Sequence, residues 1–483
     1  MVFPFTAQPF VVFLTNISPQ HLEGIIHSSS AKKALVERAV VGLLRLSPRL
    51  LHREELAPQV FTSIQCLLKM NEVTLGEVAP QIAAGVCALL KSNISDIRYP
   101  AQWTVILQLL TVSMESGGAS LNTMLAVLFI VSNSQTFDFR EGPFSELVGL
   151  LLKFVSTSGV RPGLTPSLSN LDLTEPLLQP VMSDLFGTNV DITTRIGRGV
   201  KAISVLYYLH TQVWATLPRQ QSFLFNPAIS PACQVLVFTS KTTTGKGTQQ
   251  PVEILWGEYW LPLLSGLGSN CCHPVPDIRQ AAFIHLSQGL LLSELNSSLT
   301  PKEFSQCFEK ILFPSLDDLL NPDVYRADPK GIDTARVQMF SLVSKIFLQY
   351  LTELKKSPSF SSLWPGILDF VAKYMKTDDS ENLVGDALRQ ITFLFVFVCE
   401  LSVLFVCFYL LLFLQRESVP EMLKNLLLVM VASGVLVDPI SPHARIKDPF
   451  PDSGIAIWEL TWNKVSAVLP GMKEELFPAP QHL

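Results

Sequence analysis

Charge is scarce in this sequence. Asp, Glu, Lys and Arg make up 16% of its 483 residues, where ordinary soluble proteins carry about a quarter. The formal net charge is −5, which argues against a basic surface that would coat nucleic acid. No CxxC pair occurs among the eight cysteines, Cys66, Cys87, Cys233, Cys271, Cys272, Cys307, Cys399 and Cys407. Their apolar helical contexts suit small buried hydrophobes in a reducing, cytosolic compartment rather than a disulfide framework. The opening MVFPFTAQPFVVFLTN is apolar, but it lacks a basic start and is broken by Pro4 and Pro9. It therefore reads as an irregular extension over residues 1–30 and not as a secretory signal. Sustained strand alternation is missing too.

What is present is helical spacing. Ala31–Leu51, Val60–Met70, Val78–Leu90 and Trp103–Val112 each place apolar residues on one face, with proline or short polar turns between them. Short connections between many such segments predict an all-α fold, a HEAT/armadillo-like helical repeat solenoid. The expected organisation is a helical repeat region at 31–155, a Ser/Gly/Pro-rich linker at 156–195, and a second repeat region at 196–390 with a polar loop near 217–251. An apolar insertion at 391–415 and terminal helices at 416–483 follow. An acidic residue and an arginine near a helix start recur as Glu37-Arg38, Asp277-Ile278-Arg279 and Asp333-Thr334-Ala335-Arg336. In HEAT-type repeats such a carboxylate can cap a helix while the arginine bridges to the next repeat.

Motifs that could carry chemistry fail on their spacing. Thr244-Gly245-Lys246-Gly247 has Ser240 where a P-loop needs its first glycine, and Gly247 where Mg²⁺ needs a hydroxyl. Cys271-Cys272-His273 offers adjacent thiols that cannot readily wrap one zinc, and no second ligand pair stands at a suitable distance. No catalytic, metal or cofactor-binding residue is assigned, and no cofactor is expected. Arg279 and Arg336 are the positions to probe for binding, with bracing inside the solenoid as their expected role.

From Trp256 onward stand WGEYWLPLLSGLGSNCCHPVPDIRQAAFIHLSQGLL, FSQCFEKILFPSLDDLL, ARVQMFSLVSKIFLQYL, FSSLWPGILDFVAKYM, VPEMLKNLLLVM and IWELTWNKVSAVLPGMKEELF. This series resembles the C-terminal, downstream-of-Sec7 end of the large Golgi-type, brefeldin A-resistant Sec7-family guanine nucleotide exchange factors for Arf GTPases. The earlier LVERAVVGLLRLSPRLLHREEL is similar to a helical region preceding that end. The resemblance implies a regulatory part that recruits to membranes and binds partners in ER–Golgi vesicle traffic, with catalysis in a Sec7 domain elsewhere. It also implies Arf-pathway partners, the Golgi membrane surface, and association with the catalytic half or with a second copy, but no nucleic acid. The implied location is cytoplasmic, peripheral to Golgi membranes. The family's exchange reaction uses a glutamate in a motif like FRLPGEAQ. The nearest string here, Leu469-Pro470-Gly471-Met472-Lys473-Glu474, lacks the following glutamine, so the chain is expected not to be an enzyme.

Ile391–Gln415 stands apart. It holds 21 apolar residues in 25, with Glu400 its only charge, and is long enough to cross a bilayer. Lys376 and Arg389 before it balance Arg416 and Lys424 after it, so no orientation can be read. Three readings stay open: a transmembrane helix, a buried core helix, and an artefact such as a retained intron or mis-assigned exon. In the resembled family an acidic-Ala element runs almost directly into an xPExLKN motif. Here Asp386-Ala387-Leu388-Arg389 and Val419-Pro420-Glu421 flank the block as if parted by it. A transmembrane block would make the chain a free-standing, membrane-anchored helical scaffold.

Overall fold

The structure is a computed structural model. It describes residues 29–117, 121–133, 141–158, 192, 194–215, 252–291, 299–355, 359–375, 419–438 and 451–477. Among these the regular elements are helices, and no strand occurs. The all-α expectation is met. Contacts divide the chain into two compact units, Met1–Gly266 and Leu267–Leu483.

In the first unit, α1 (Ser29–Leu51), α2 (Ala57–Gln65), α3 (Glu72–Asn93), α4 (Pro100–Gly117), α5 (Leu121–Ser132), α6 (Glu141–Ser158) and α7 (Arg195–Ala215) follow one another. The helices run longer than the apolar runs suggest, because polar residues cap and extend them. Asn71 caps α3 by accepting the Thr74 N–H at 2.8 Å. The stretch Val60–Met70 is not one helix but the end of α2 followed by a tighter 3-10 turn, Cys66–Lys69.

Packing follows a repeat logic. α3 touches α1, α4 and α5, while α6 touches α4 and α7. Contact with the next helix and the next but one is what stacked helical hairpins require. α3 is central, and the helical stretch Glu72–Asp96 is long and apolar enough to span a membrane by length and composition. Instead it buries Leu75, Val78, Ile82, Val86, Leu89 and Leu90 against its neighbours. Each such side chain contributes about 1.5–3 kcal/mol. Gly85 permits the close approach of α1, since a Cβ there would sit 2.7 Å from Leu44 Cβ. The stretch 156–195 separates α6 from α7 in sequence only. The two helices pack together, and Ser158 Oγ donates to the Arg195 carbonyl at 3.0 Å.

α8 (Val252–Leu255) runs into α9 (Leu261–Ser269) through one π-helical turn, Trp256–Trp260. The second unit repeats the device: α11 (Pro301–Cys307) meets α12 (Phe313–Leu320) through a π-turn at Phe308–Leu312. Pro262 and Pro314 explain both. A proline inside a helix has no N–H and crowds the carbonyl four residues back. The helix widens by one residue just before it, so the Leu261 N–H reaches Trp256 O and the Phe313 N–H reaches Phe308 O.

The second unit also contains α10 (Pro276–Leu291), α13 (Pro322–Ala327), α14 (Pro329–Leu354), α15 (Phe360–Met375), α16 (Val419–Ala432), α17 (Pro451–Val468) and α18 (Met472–Leu476). α14 is its axis, in contact with α10, α11, α12 and α16. Its aromatic side chains fill the core: Tyr350 stacks on Phe304 with ring centroids 4.1 Å apart, and Phe347 stacks on Trp364 at 5.4 Å. Trp364 Nε1 donates to Thr461 Oγ1 at 2.8 Å, tying α15 to α17.

Candidate functional site

The polar side chains of the second unit converge on helix ends. An α-helix leaves its last carbonyls without intrahelical partners, and burying them unpaired is costly. Here Tyr350 Oη donates to Leu290 O at 2.9 Å, near the end of α10. Arg336 Nε donates to Leu319 O at 3.0 Å, in the last turn of α12, and Tyr374 Oη adds a bond to Leu316 O at 3.1 Å, one turn inside the same helix. In each pair a residue later in the chain covers a carbonyl of an earlier helix.

Arg279 and Arg336, the two positions the sequence singles out, are both buried. Arg279 donates through Nη1 to the His273 carbonyl at 2.9 Å and through Nη2 to Asp328. Asp328 is also the N-cap of α14, accepting the Gly331 N–H at 3.1 Å. The Arg279 hydrogen bond holds the Asp328 carboxyl below its ordinary pKa. Arg336 pairs with Asp333 at 3.1 Å and lies over the Tyr325 ring, 4.7 Å from its centroid. Both arginines brace neighbouring helices, so neither offers its guanidinium to a partner.

The capping carboxylate is a different residue from the one expected. Asp277 is exposed in the first turn of α10, and Asp333 sits inside α14 rather than at its start. Glu37-Arg38 falls in the middle of α1 and opens no helix. Glu37 instead accepts from Gln81 at 2.8 Å, while Arg38 faces outward. Sequence reasoning missed Asp328, although Asp328-Pro329 carries a signal: a capping residue followed by proline at the first helical position.

Cys271 and Cys272 lie at the end of α9, their thiols directed at Leu267 O (3.5 Å) and Ser269 O (3.1 Å). Burial is the main cause that raises both thiols, Cys272 to about 11 with the Asp318 carboxylate adding to it. Metal ligation needs thiolates, and this environment resists them. His273 Nδ1 accepts the Val275 N–H at 3.1 Å. Among the described residues no group of three or more His, Cys, Asp or Glu is placed to hold a metal ion.

Leu469–Glu474 spans the turn between α17 and α18, Leu469–Gly471, and the start of α18. Gly471 takes φ +91°, the left-handed conformation that glycine adopts without strain, and Glu474 belongs to α18. This is a helix-joining corner and not an extended catalytic loop. Thr244–Gly247 and Ile391–Gln415 lie outside the described residues.

Comparison with known proteins places this architecture. Residues 260–393 and 413–472 match the family described as "GBF1-like, tetratrico peptide repeat region". The match passes over 394–412, about three quarters of the apolar block. Tetratricopeptide repeats, like HEAT and armadillo repeats, are stacked helical hairpins, and the helical repeat solenoid stands. The ARF guanine-nucleotide exchange factor GNOM of Arabidopsis thaliana is 28% identical over 97% of this chain and 26% of its own length. GNL1 of the same plant is 25% identical over 95% of this chain and 26% of its own length. The Golgi-specific brefeldin A-resistance guanine nucleotide exchange factor 1 homolog of Caenorhabditis elegans is 27% identical over 47% of the chain and 9% of its own length. This chain thus spans about a quarter of the first two relatives. No solved structure matches it. By sequence the chain is similar to one stretch of large ARF guanine-nucleotide exchange factors and, over 260–393 and 413–472, to the GBF1-like repeat region.

Proposed function

We propose that this chain is the regulatory, membrane-recruiting and partner-binding helical part of a large Arf exchange factor in ER–Golgi and Golgi vesicle traffic. The observation that carries the reading is the breadth of the likeness. It runs over 97% of this chain yet takes in only 26% of GNOM. The polar groups support a binding role over a chemical one. Arg279, Arg336, Tyr350 and Tyr374 are spent on contacts within the second unit, which leaves outward helix faces to meet Arf-pathway proteins, the Golgi membrane surface or the exchange factor's catalytic half. Nucleotide exchange is then performed by another part of such a factor.

On this reading residues 391–415 are an insertion into the repeat region, originating in a retained intron or mis-assigned exon. The interruption of the family match at 394–412 supports it. The rival reading is a free-standing scaffold anchored by that block. Flotation of the purified chain with Golgi membranes, followed by a carbonate wash, tests both. Peripheral recruitment predicts that the chain floats with the membranes and is stripped by carbonate. Retention after the wash favours the anchor, and failure to float at all contradicts recruitment.

A further inference from the structure

The outer face of α1 combines features that no bracing role uses. At about 100° per residue, Leu35, Arg38, Gly42, Arg45, Leu46 and Arg49 fall within an arc of about 100°. The buried residues Val36, Val40, Leu43, Leu44, Ser47 and Leu51 occupy the opposite side. Arg38, Arg45 and Arg49 are exposed and make no ion pair among the described residues. Three acidic groups near this helix are engaged elsewhere: Glu77 with Lys33 at 3.6 Å, Glu37 with Gln81, and Glu54, just past the helix end, with Arg98, while the exposed Glu55 beside Glu54 pairs with none of the three arginines. Leu35 and Leu46 are 38% and 43% exposed beside the arginines. Gly42, in the centre of the stripe, opens onto free space, since a Cβ there would meet nothing within 4 Å. In a chain of net charge −5, three unpaired arginines in one line are a local reversal of sign.

We propose that this face of α1 docks on an anionic membrane surface. Arginine headgroups complement lipid phosphates and carboxylates, and the two leucines reach the boundary of the acyl region. The flat outer side of a helix suits a membrane plane better than it suits a groove-binding peptide. The proposal deepens the recruitment reading above and rests on it for the kind of surface met. Three arginines carry a weak, salt-sensitive attachment, useful as one contact among several.

The test is flotation of the full chain with phosphatidylcholine vesicles, with and without phosphatidylserine, at low and physiological salt. Binding is expected only with phosphatidylserine and should weaken as salt rises. The triple variant R38Q/R45Q/R49Q should lose about a hundredfold in apparent affinity, with helix content and melting temperature unchanged because all three side chains are exposed. Gly42→Lys adds a cation where there is room, so it should bind about fivefold tighter, a gain that damaged folding cannot produce. Equal binding by the triple variant, no gain in Gly42→Lys, or no binding by the parent overturns the proposal. So does tighter binding to polyglutamate than to phosphatidylserine vesicles at the same salt, which would make the face a dock for acidic protein. Golgi flotation retained by a triple variant that no longer binds vesicles removes α1 from the recruitment reading and leaves that reading standing.

Discussion

Asp328 serves Arg279 and Gly331 at once. One carboxylate oxygen accepts the Gly331 N–H and caps α14, while the other receives the guanidinium of Arg279, forty-nine residues earlier on α10. One side chain thus fixes where α14 begins and how α10 lies against it. Arg279 is 7% exposed, so the pair is shielded from solvent on the arginine side, where an uncompensated charge is expensive.

Asp328→Ala should destabilise the second unit by about 3 kcal/mol or more. Stranding a buried partner costs about 3–5 kcal/mol, and losing the cap adds about 1 kcal/mol. Asp328→Asn keeps the cap and should cost less. The folded-state pKa of Asp328 is depressed, so its stabilisation is present above the unfolded value of about 3.9. That stabilisation is lost as pH falls through the lower folded value. Urea midpoints should therefore separate Asp328→Asn from the parent at neutral pH and converge in strong acid. A constant gap across that range contradicts the ion-pair account.

Gly331→Ala should destabilise, although alanine in a helix is ordinarily better than glycine by about 1 kcal/mol. A Cβ at Gly331 would collide with both Asp328 Oδ2 and Arg279 Nη2. Thermal melts check the sign. A raised melting temperature would mean that the pair does not hold the arrangement described.

His210 on α7 is fully buried, stacked against Tyr207 at 6.0 Å between ring centroids. Neither ring nitrogen has a hydrogen-bond partner among the described residues. Burial holds its pKa down to about 3, against about 6.5 in the unfolded chain. The folded state therefore binds fewer protons, and the stability from neutral His210 is complete above about pH 6.5 and drains away toward about pH 3. His210→Phe removes two unsatisfied nitrogens, each costing about 1–3 kcal/mol. The variant should be more stable than the parent, by a margin that widens between pH 6.5 and 3. A margin independent of pH would show that His210 titrates normally.

Deleting residues 391–415 should leave the second unit folded with an unchanged or higher melting temperature, and transcript reads should join the codons for Gln390 and Arg416. Abundant reads that carry the block, together with a deletion variant that fails to fold, would make it an integral helix.

Part of the first unit was legible because apolar periodicity is a local signal: Ala31–Leu51 differs from α1 by two residues at one end, while α5, α6 and α7 were not singled out. Capping and proline effects were legible in principle. Asn71 lengthens α3, and Pro262 and Pro314 mark both π-turns. Partners distant in sequence were not legible. Nothing near Arg279 points to Asp328, and nothing near Tyr350 points to the Leu290 carbonyl. Those pairings depend on how helices stack, which periodicity does not encode. The expected capping roles of Glu37, Asp277 and Asp333 failed for the same reason. A charge near a helix start can serve the chain's own arginine, another helix or solvent, and only packing decides.

The central claim is that this chain binds and does not catalyse exchange. Release of a fluorescent guanine nucleotide from Arf, measured with the purified chain in excess, tests it most directly. The account predicts release at the spontaneous rate, with or without membranes. Accelerated release that rises with the concentration of the chain and vanishes with Glu474→Lys would contradict it, and would turn the corner at Gly471 into a catalytic element.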